Sequence, residues 1–144
     1  MPETTFVVRL NWHRLGNDGD PRWQYERALY AYLPPTRGKP YYIGKCYGTT
    51  VREQGRYDRK SDVWDCIEEQ TKHHVPIVAD IELPKGMRLS KKLLADIECL
   101  LIYRVQPDCN VQCKSSRGKY RRPGMKVECG GAWPFSQRTF RDED

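Results

Sequence analysis

Two short apolar runs divided by six turn-forming residues restrict the fold of this chain more than any other feature. Residues 27–33 and 40–45 are rich in Tyr, Leu, Ala and Ile, with Pro34-Pro35-Thr36-Arg37-Gly38-Lys39 between them. That spacing predicts an antiparallel hairpin, because the connection favours turns and is too short for a crossover. Side chains alternate along a strand. Tyr30 and Tyr32 therefore share one face, with Leu29, Ala31 and Leu33 on the other; Tyr42 and Gly44 likewise oppose Tyr41 and Ile43. One face of the hairpin is expected to present tyrosines while the other enters the core.

The remaining elements follow from pattern and punctuation. Residues 6–12 carry β-branched and aromatic side chains and read as a strand, followed by a loop through Gly16 to Pro21. Thr49-Thr50 suits the cap of a short helix carrying Val51 and Arg52, weakened by Gly55. Ser61 caps a helix through Lys72, with Val63, Trp64 and Ile67 inward and His73-His74 closing its C-terminal end. Residues 75–83 alternate as a third strand, and Pro76 marks an edge or a strand start. The clearest helix opens at Ser90. Leu93, Leu94, Ile97, Leu100 and Leu101 form its stripe, Arg104 adds its aliphatic stem, and Pro107 stops it after Val105. Trp12, Trp23, Trp64 and Trp133 read as packing residues, and residues 141–144 as a frayed end. The expectation is one α+β domain over residues 1–144, a central antiparallel sheet of three strands flanked by helices, with residues 6–12 a candidate fourth strand.

Charge narrows the partners. The 25 Lys and Arg exceed the 19 Asp and Glu, a net charge of +6 that suits a phosphate-bearing partner. Lys114, Arg117, Lys119, Arg121, Arg122 and Lys126 crowd one acid-free stretch around Tyr120. That stretch is either a solvated loop or an arm that tracks a phosphate backbone. No apolar run is long enough to span a bilayer, and residues 1–5 lack the basic and apolar regions of a signal peptide, so the expectation is a soluble, cytoplasmic protein. In that compartment the six cysteines should stay reduced. Cys109, Cys113 and Cys129 include no CxxC pair, so zinc is a minor alternative to ordinary thiols.

Glu98 is the residue with the most chemical content. It follows Ile97 and borders the apolar stripe, where a carboxylate needs a cation, a hydrogen-bonding group or a metal. Either its head escapes to water at the helix edge, or it is a hard-oxygen ligand for Mg2+. Lys45 and Arg52 are surface cations or the complementary half of a phosphate site. Tyr30 and Tyr42 are core-boundary residues or, beside such cations and a metal-bound water, phenols that give up a proton.

Taken together these positions resemble the GIY-YIG nucleases. Tyr42-Ile43-Gly44 looks like the YIG element and Ala28-Leu29-Tyr30 stands where the GIY element belongs, with Ala28 in place of its first glycine. Arg52 follows Tyr42 by ten positions, and Glu98 opens a helix segment that leads through Pro107 to Asn110. The resemblance covers about residues 27–111, leaving a strand and loop at 1–26 and a basic extension at 112–144. It implies Tyr30 and Tyr42 in an active site, one of them a base, with Lys45 and Arg52 on the scissile phosphate. It further implies Mg2+ or Mn2+ on Glu98, and Asn110 organising the site from beyond the helix. The family's His or Tyr four residues after the arginine is here Arg56, followed by Tyr57. Either Tyr57 serves through an irregularity near Gly55, or proton transfer is arranged differently. The implied function is metal-dependent endonucleolytic hydrolysis of DNA, with Arg56 and the 114–126 cations as DNA contacts. The alternative is a nucleic-acid-binding module that does not cut. A homodimer would suit double-strand cleavage, since one site cuts one strand.

Overall fold

The computed structural model describes residues 4–142; Met1, Pro2, Glu3, Glu143 and Asp144 lie outside the described residues. Its strands are β1 (Phe6–Arg14), β2 (Arg27–Leu33), β3 (Tyr42–Tyr47), β4 (Val75–Glu82), β5 (Met125–Gly131) and β6 (Thr139–Arg141). They form a single sheet in the order β3-β2-β4-β1-β5-β6. All neighbours are antiparallel except β1 and β5, which run parallel. The α+β class holds, and residues 6–12 do pair beside β4. The expectation of a purely antiparallel three-stranded sheet does not hold. The chain returns after its last helix to add β5 and β6, so the basic extension is partly sheet. Its Met125, Val127, Cys129, Trp133 and Phe140 are buried in the main core, and Trp133 lies 5.3 Å from Trp12.

Among the described residues, three α-helices cover the sheet. α1 (Val51–Arg59) opens with a capping box in which Thr50 and Glu53 exchange hydrogen bonds, and it continues past Gly55. α2 (Asp62–Gln70) is capped by Ser61 and ends at Thr71, so His73-His74 lie in the link to β4 and not on the helix end. α3 (Lys91–Val105) is capped by Ser90 and ends where Gln106 turns left-handed at φ 58°. Leu94, Ile97, Leu100 and Leu101 on α3 are fully buried against Leu29, Ala31, Ile43 and Ile77. Burial of each such side chain contributes about 2 kcal/mol. Arg104 is exposed and donates to the Arg141 carbonyl, outside that stripe.

α1 and α2 pack on the opposite sheet face, over Ala28, Tyr30, Tyr32 and Val78. The hairpin therefore has two buried faces, and Tyr30 and Tyr32 are not presented to solvent. β4 is an interior strand and Pro76 is its second residue, so of the two readings the strand start holds and the edge does not. The proline is tolerated near the start, where its carbonyl still accepts the Leu15 N–H. Of the end expected to fray, Arg141 closes β6 and Asp142 is buried and pairs with Arg117, while residues 143–144 lie outside the described residues.

Four of the cysteines are joined as Cys66–Cys109 and Cys99–Cys113, correcting the expectation of reduced thiols, while Cys46 and Cys129 are free and buried. Cys109 and Cys113 thus bond to different partners. Among the described residues, no helix is long and apolar enough to cross a membrane.

Candidate active site

The β2–β3 register sets Tyr32 opposite Tyr42 and Tyr30 opposite Gly44, which brings three phenols to one face. Their ring centroids lie 5.6 Å (Tyr30–Tyr32), 6.0 Å (Tyr32–Tyr42) and 6.3 Å (Tyr30–Tyr42) apart. Gly44 is required by this arrangement. A Cβ there would meet the tip of the Tyr30 ring at 2.5 Å and Tyr42 at 2.9 Å. The glycine of the YIG-like element is thus a seat for a neighbouring ring.

Lys45 is one residue further along and so projects to the other face, toward α3. There its Nζ lies 3.3 Å from Oε1 of Glu98, whose side chain is 13% exposed. A cleft of about 260 Å³ collects Tyr30, Tyr42, Lys45, Gln54, Glu98 and Asn110 in its lining. Five residues proposed from sequence therefore converge, although 80 positions separate the first from the last.

Asn110 holds the cleft together. Its Oδ1 accepts the Ile43 N–H and its Nδ2 donates to the Ile43 carbonyl, both at 2.9 Å. A side-chain amide thus takes the place of the missing strand beyond the β3 edge, and the Cys109 N–H extends the pairing to the Tyr41 carbonyl at 2.8 Å. The two disulfides flank this segment: Cys109 ties it to α2, and Cys113 ties it to Cys99, next to Glu98.

Helix phase decides the contribution of α1. Its inward positions are Val51, Gln54, Gly55 and Asp58, spaced by three or four. Arg52 is rotated off that face. Its guanidinium donates to the Asp18 carbonyl at 2.8 Å and stacks 5.2 Å from the Trp23 ring, and it does not line the cleft. Arg56 and Tyr57 are both exposed and do not line the cleft.

The residue found in the tyrosine layer is Asp58, which the sequence reading missed. Its Oδ2 accepts hydrogen bonds from Tyr30 at 2.7 Å and from Tyr32 at 2.8 Å. Burial raises its pKa, partly offset by the two phenols. Burial is also the main cause holding Tyr30 and Tyr32 well above the ordinary phenol range, with the Asp58 charge adding to it. Tyr42 is raised by burial and then by the carboxylates of Asp58 and Glu98. Tyr30 and Tyr32 are hydrogen-bond donors here, and burial works against ionisation of all three phenols. Glu98 is raised by burial, with Lys45 pulling it back. His74 packs edge-on to Trp64 and Tyr32 in the same layer, and burial lowers its pKa.

The basic stretch is largely occupied internally. Arg117 pairs with Asp142 and donates to the Asp96 and Tyr120 carbonyls. Arg122 and Lys92 both hold the buried Asp96, and Lys126 pairs with Glu128. Lys119 lies 5.4 Å over the Tyr120 ring, and the Lys114 carbonyl accepts from Gln106. Arg117 and Arg122 thus tie the C-terminal segment to α3 and to Asp142. Arg121 lines a separate, wider hollow with Tyr103, Arg104 and Ser116.

Among the described residues, no group of three or more His, Cys, Asp or Glu is placed to hold a metal. A lone, mostly buried carboxylate on a cleft fits Mg2+, which keeps most of its waters and takes other oxygens from substrate phosphate. Comparison with protein-family models, curated proteins and solved structures returns no significant match to this chain.

Proposed function

We propose that this cleft hydrolyses DNA phosphodiester bonds in the manner of a GIY-YIG endonuclease, with Mg2+ or Mn2+ on Glu98. The observation that carries the reading is the meeting of Lys45 and Glu98 beside Tyr30 and Tyr42, in a cleft closed by Asn110. A carboxylate for a hard cation, an ammonium for a non-bridging oxygen and phenols for hydrogen bonding are the groups that in-line displacement at phosphorus uses. Bound at Glu98, the ion would offset charge on the scissile phosphate. Lys45 supplies the protein's cation at the cleft. Arg52 reaches the phosphate only by leaving Asp18, whose side chain is 97% exposed, and such a surface pair contributes about 1 kcal/mol or less. A cytoplasmic location fits a DNA substrate but not two persistent disulfides, since cytosolic thiols are kept reduced.

The test is strand scission. Supercoiled plasmid incubated with the protein and Mg2+ should be nicked, EDTA should stop the reaction, and Glu98→Gln should abolish it while leaving DNA binding intact. Parental cleavage by the Gln variant would remove the assignment. A second reading, a binding module that does not cut, is favoured by the outward turn of Arg52. A salt-sensitive gel shift without strand breaks would select it.

A further inference from the structure

We propose that Asp58 is the terminal proton acceptor of the cleft and that Tyr30 relays the proton to it from the attacking water. The inference rests on the hydrolytic reading above. Among the three phenols, Tyr30 alone both lines the cleft and donates to Asp58; Tyr32 donates to the same oxygen from outside the cleft lining. Asp58 itself is 6% exposed and does not line the cleft, so its route to the substrate runs through the Tyr30 hydroxyl.

A buried carboxylate that served only packing would be expected to take a cation. Among the described residues, no Lys, Arg or His forms a salt bridge with Asp58. The adjacent Arg59 instead lies 5.5 Å over the Trp64 ring. Two neutral donors leave the carboxylate able to gain a proton without breaking an ion pair. The other titratable groups around it are Tyr42 on β3, His74 before β4 and, beyond Tyr42, Glu98 on α3. The raised phenol pKa of Tyr30 makes a standing tyrosinate an unfavourable base, whereas passing one proton in while another leaves avoids that state.

The step balances. One water proton moves to Tyr30 Oη as the Tyr30 proton moves to Asp58 Oδ2. The water oxygen forms the new bond to phosphorus, and the bond to the leaving sugar oxygen breaks with its electron pair remaining on that oxygen. The leaving oxygen takes a proton from solvent, and Asp58 returns its own to solvent through Tyr30. The net change is one water and one phosphodiester to one phosphomonoester and one alcohol.

The experiment measures single-turnover plasmid cleavage in Mg2+ against pH, with DNA binding measured in parallel, for the parent, Asp58→Asn and Tyr32→Phe. Asp58→Asn should slow cleavage at neutral pH by about a hundredfold, the lower range for a general base. Its DNA affinity should stay within about threefold, and the acid limb of the parental profile should disappear. Tyr32→Phe should keep most activity but move the acid limb to higher pH, because a donor that stabilises the carboxylate is gone. A change in packing alone would not move that limb in this direction. If Asp58→Asn does not fold by circular dichroism, the Tyr32→Phe shift decides. Parental rate and an unmoved acid limb in a folded Asn variant would overturn the relay while leaving the nuclease standing. A parent that never cuts would overturn both.

Discussion

Replacing Asn110 by Ala removes the side chain that closes the β3 edge at Ile43. Two hydrogen bonds of 2.9 Å are lost, and the backbone N–H and C=O of a residue with 0% exposure are left without those partners. A neutral hydrogen bond contributes about 1 kcal/mol net, and a buried group left unpaired costs about 1–3 kcal/mol. Water can reach part of an edge strand, so the expected loss is about 2–4 kcal/mol. The assay is urea unfolding with the disulfides intact, read as a fall in midpoint at unchanged slope. Amide hydrogen exchange adds a local readout, since the Ile43 amide should lose protection before its neighbours on β2. Asn110→Asp is the control. At neutral pH its carboxylate still accepts from the Ile43 N–H but faces the Ile43 carbonyl with a second acceptor, so the loss should match or exceed that of Ala. At low pH the protonated acid can donate, and part of the loss should return. A loss below about 0.5 kcal/mol for Asn110→Ala, with Ile43 exchange unchanged, would refute the strand-substitute role.

Gly44→Ala should destabilise by about 1–3 kcal/mol in the same unfolding assay, because its Cβ would sit 2.5 Å from the Tyr30 ring and the ring is packed on both sides. A neutral result would mean that Tyr30 does not lie across β3. Under denaturing conditions the untreated protein should show two reactive thiols and the reduced protein six. Reduction should lower stability by about 4 kcal/mol for Cys66–Cys109 and about 3 kcal/mol for Cys99–Cys113, from the chain entropy of loops spanning 43 and 14 residues. For pH, the raised Asp58 means that the native state holds its proton more tightly than the unfolded chain. Its stabilising contribution is complete below the unfolded value and declines as pH rises through the folded one. The stability of Asp58→Asn relative to the parent should therefore improve from about pH 4 upward, and a difference constant with pH would contradict the assigned shift.

The elements legible in the sequence are those whose signal is local. The hairpin follows from two aromatic runs and a proline-glycine connection, and α3 from a leucine stripe between Ser90 and Pro107. β5 carried the same kind of signal, since Met125, Val127 and Cys129 are buried and alternate with Lys126 and Glu128. The surrounding cations concealed it. Arg117 and Arg122 find their partners at Asp142 and Asp96, as many as 26 positions away, and that pairing cannot be read from a charge count. Which cysteines meet was equally beyond reach, because partners 43 residues apart are chosen by the packing of α2 against the segment after α3.

At the candidate site the limit was angular. Successive residues on an α-helix are about 100° apart, so a motif that fixes the spacing of an arginine along the chain does not fix where it points. Gly55 weakens the helix signal of α1, and with it the face that matters. Continued through Arg59, the periodicity from Val51 passes Gln54 and Gly55 and arrives at Asp58, while Arg52 and Arg56 fall on the outer side. The rotation exchanges a cation over the tyrosines for a carboxylate beneath them. It accounts for Arg52 resting on Asp18 and for the exposure of Tyr57, and it moves the question of the base from the phenols to the group that they hydrogen-bond. A nuclease with this cleft would then owe its phosphate contact to Lys45, whose position is fixed by strand alternation, and its proton route to a helix phase that no linear motif encodes.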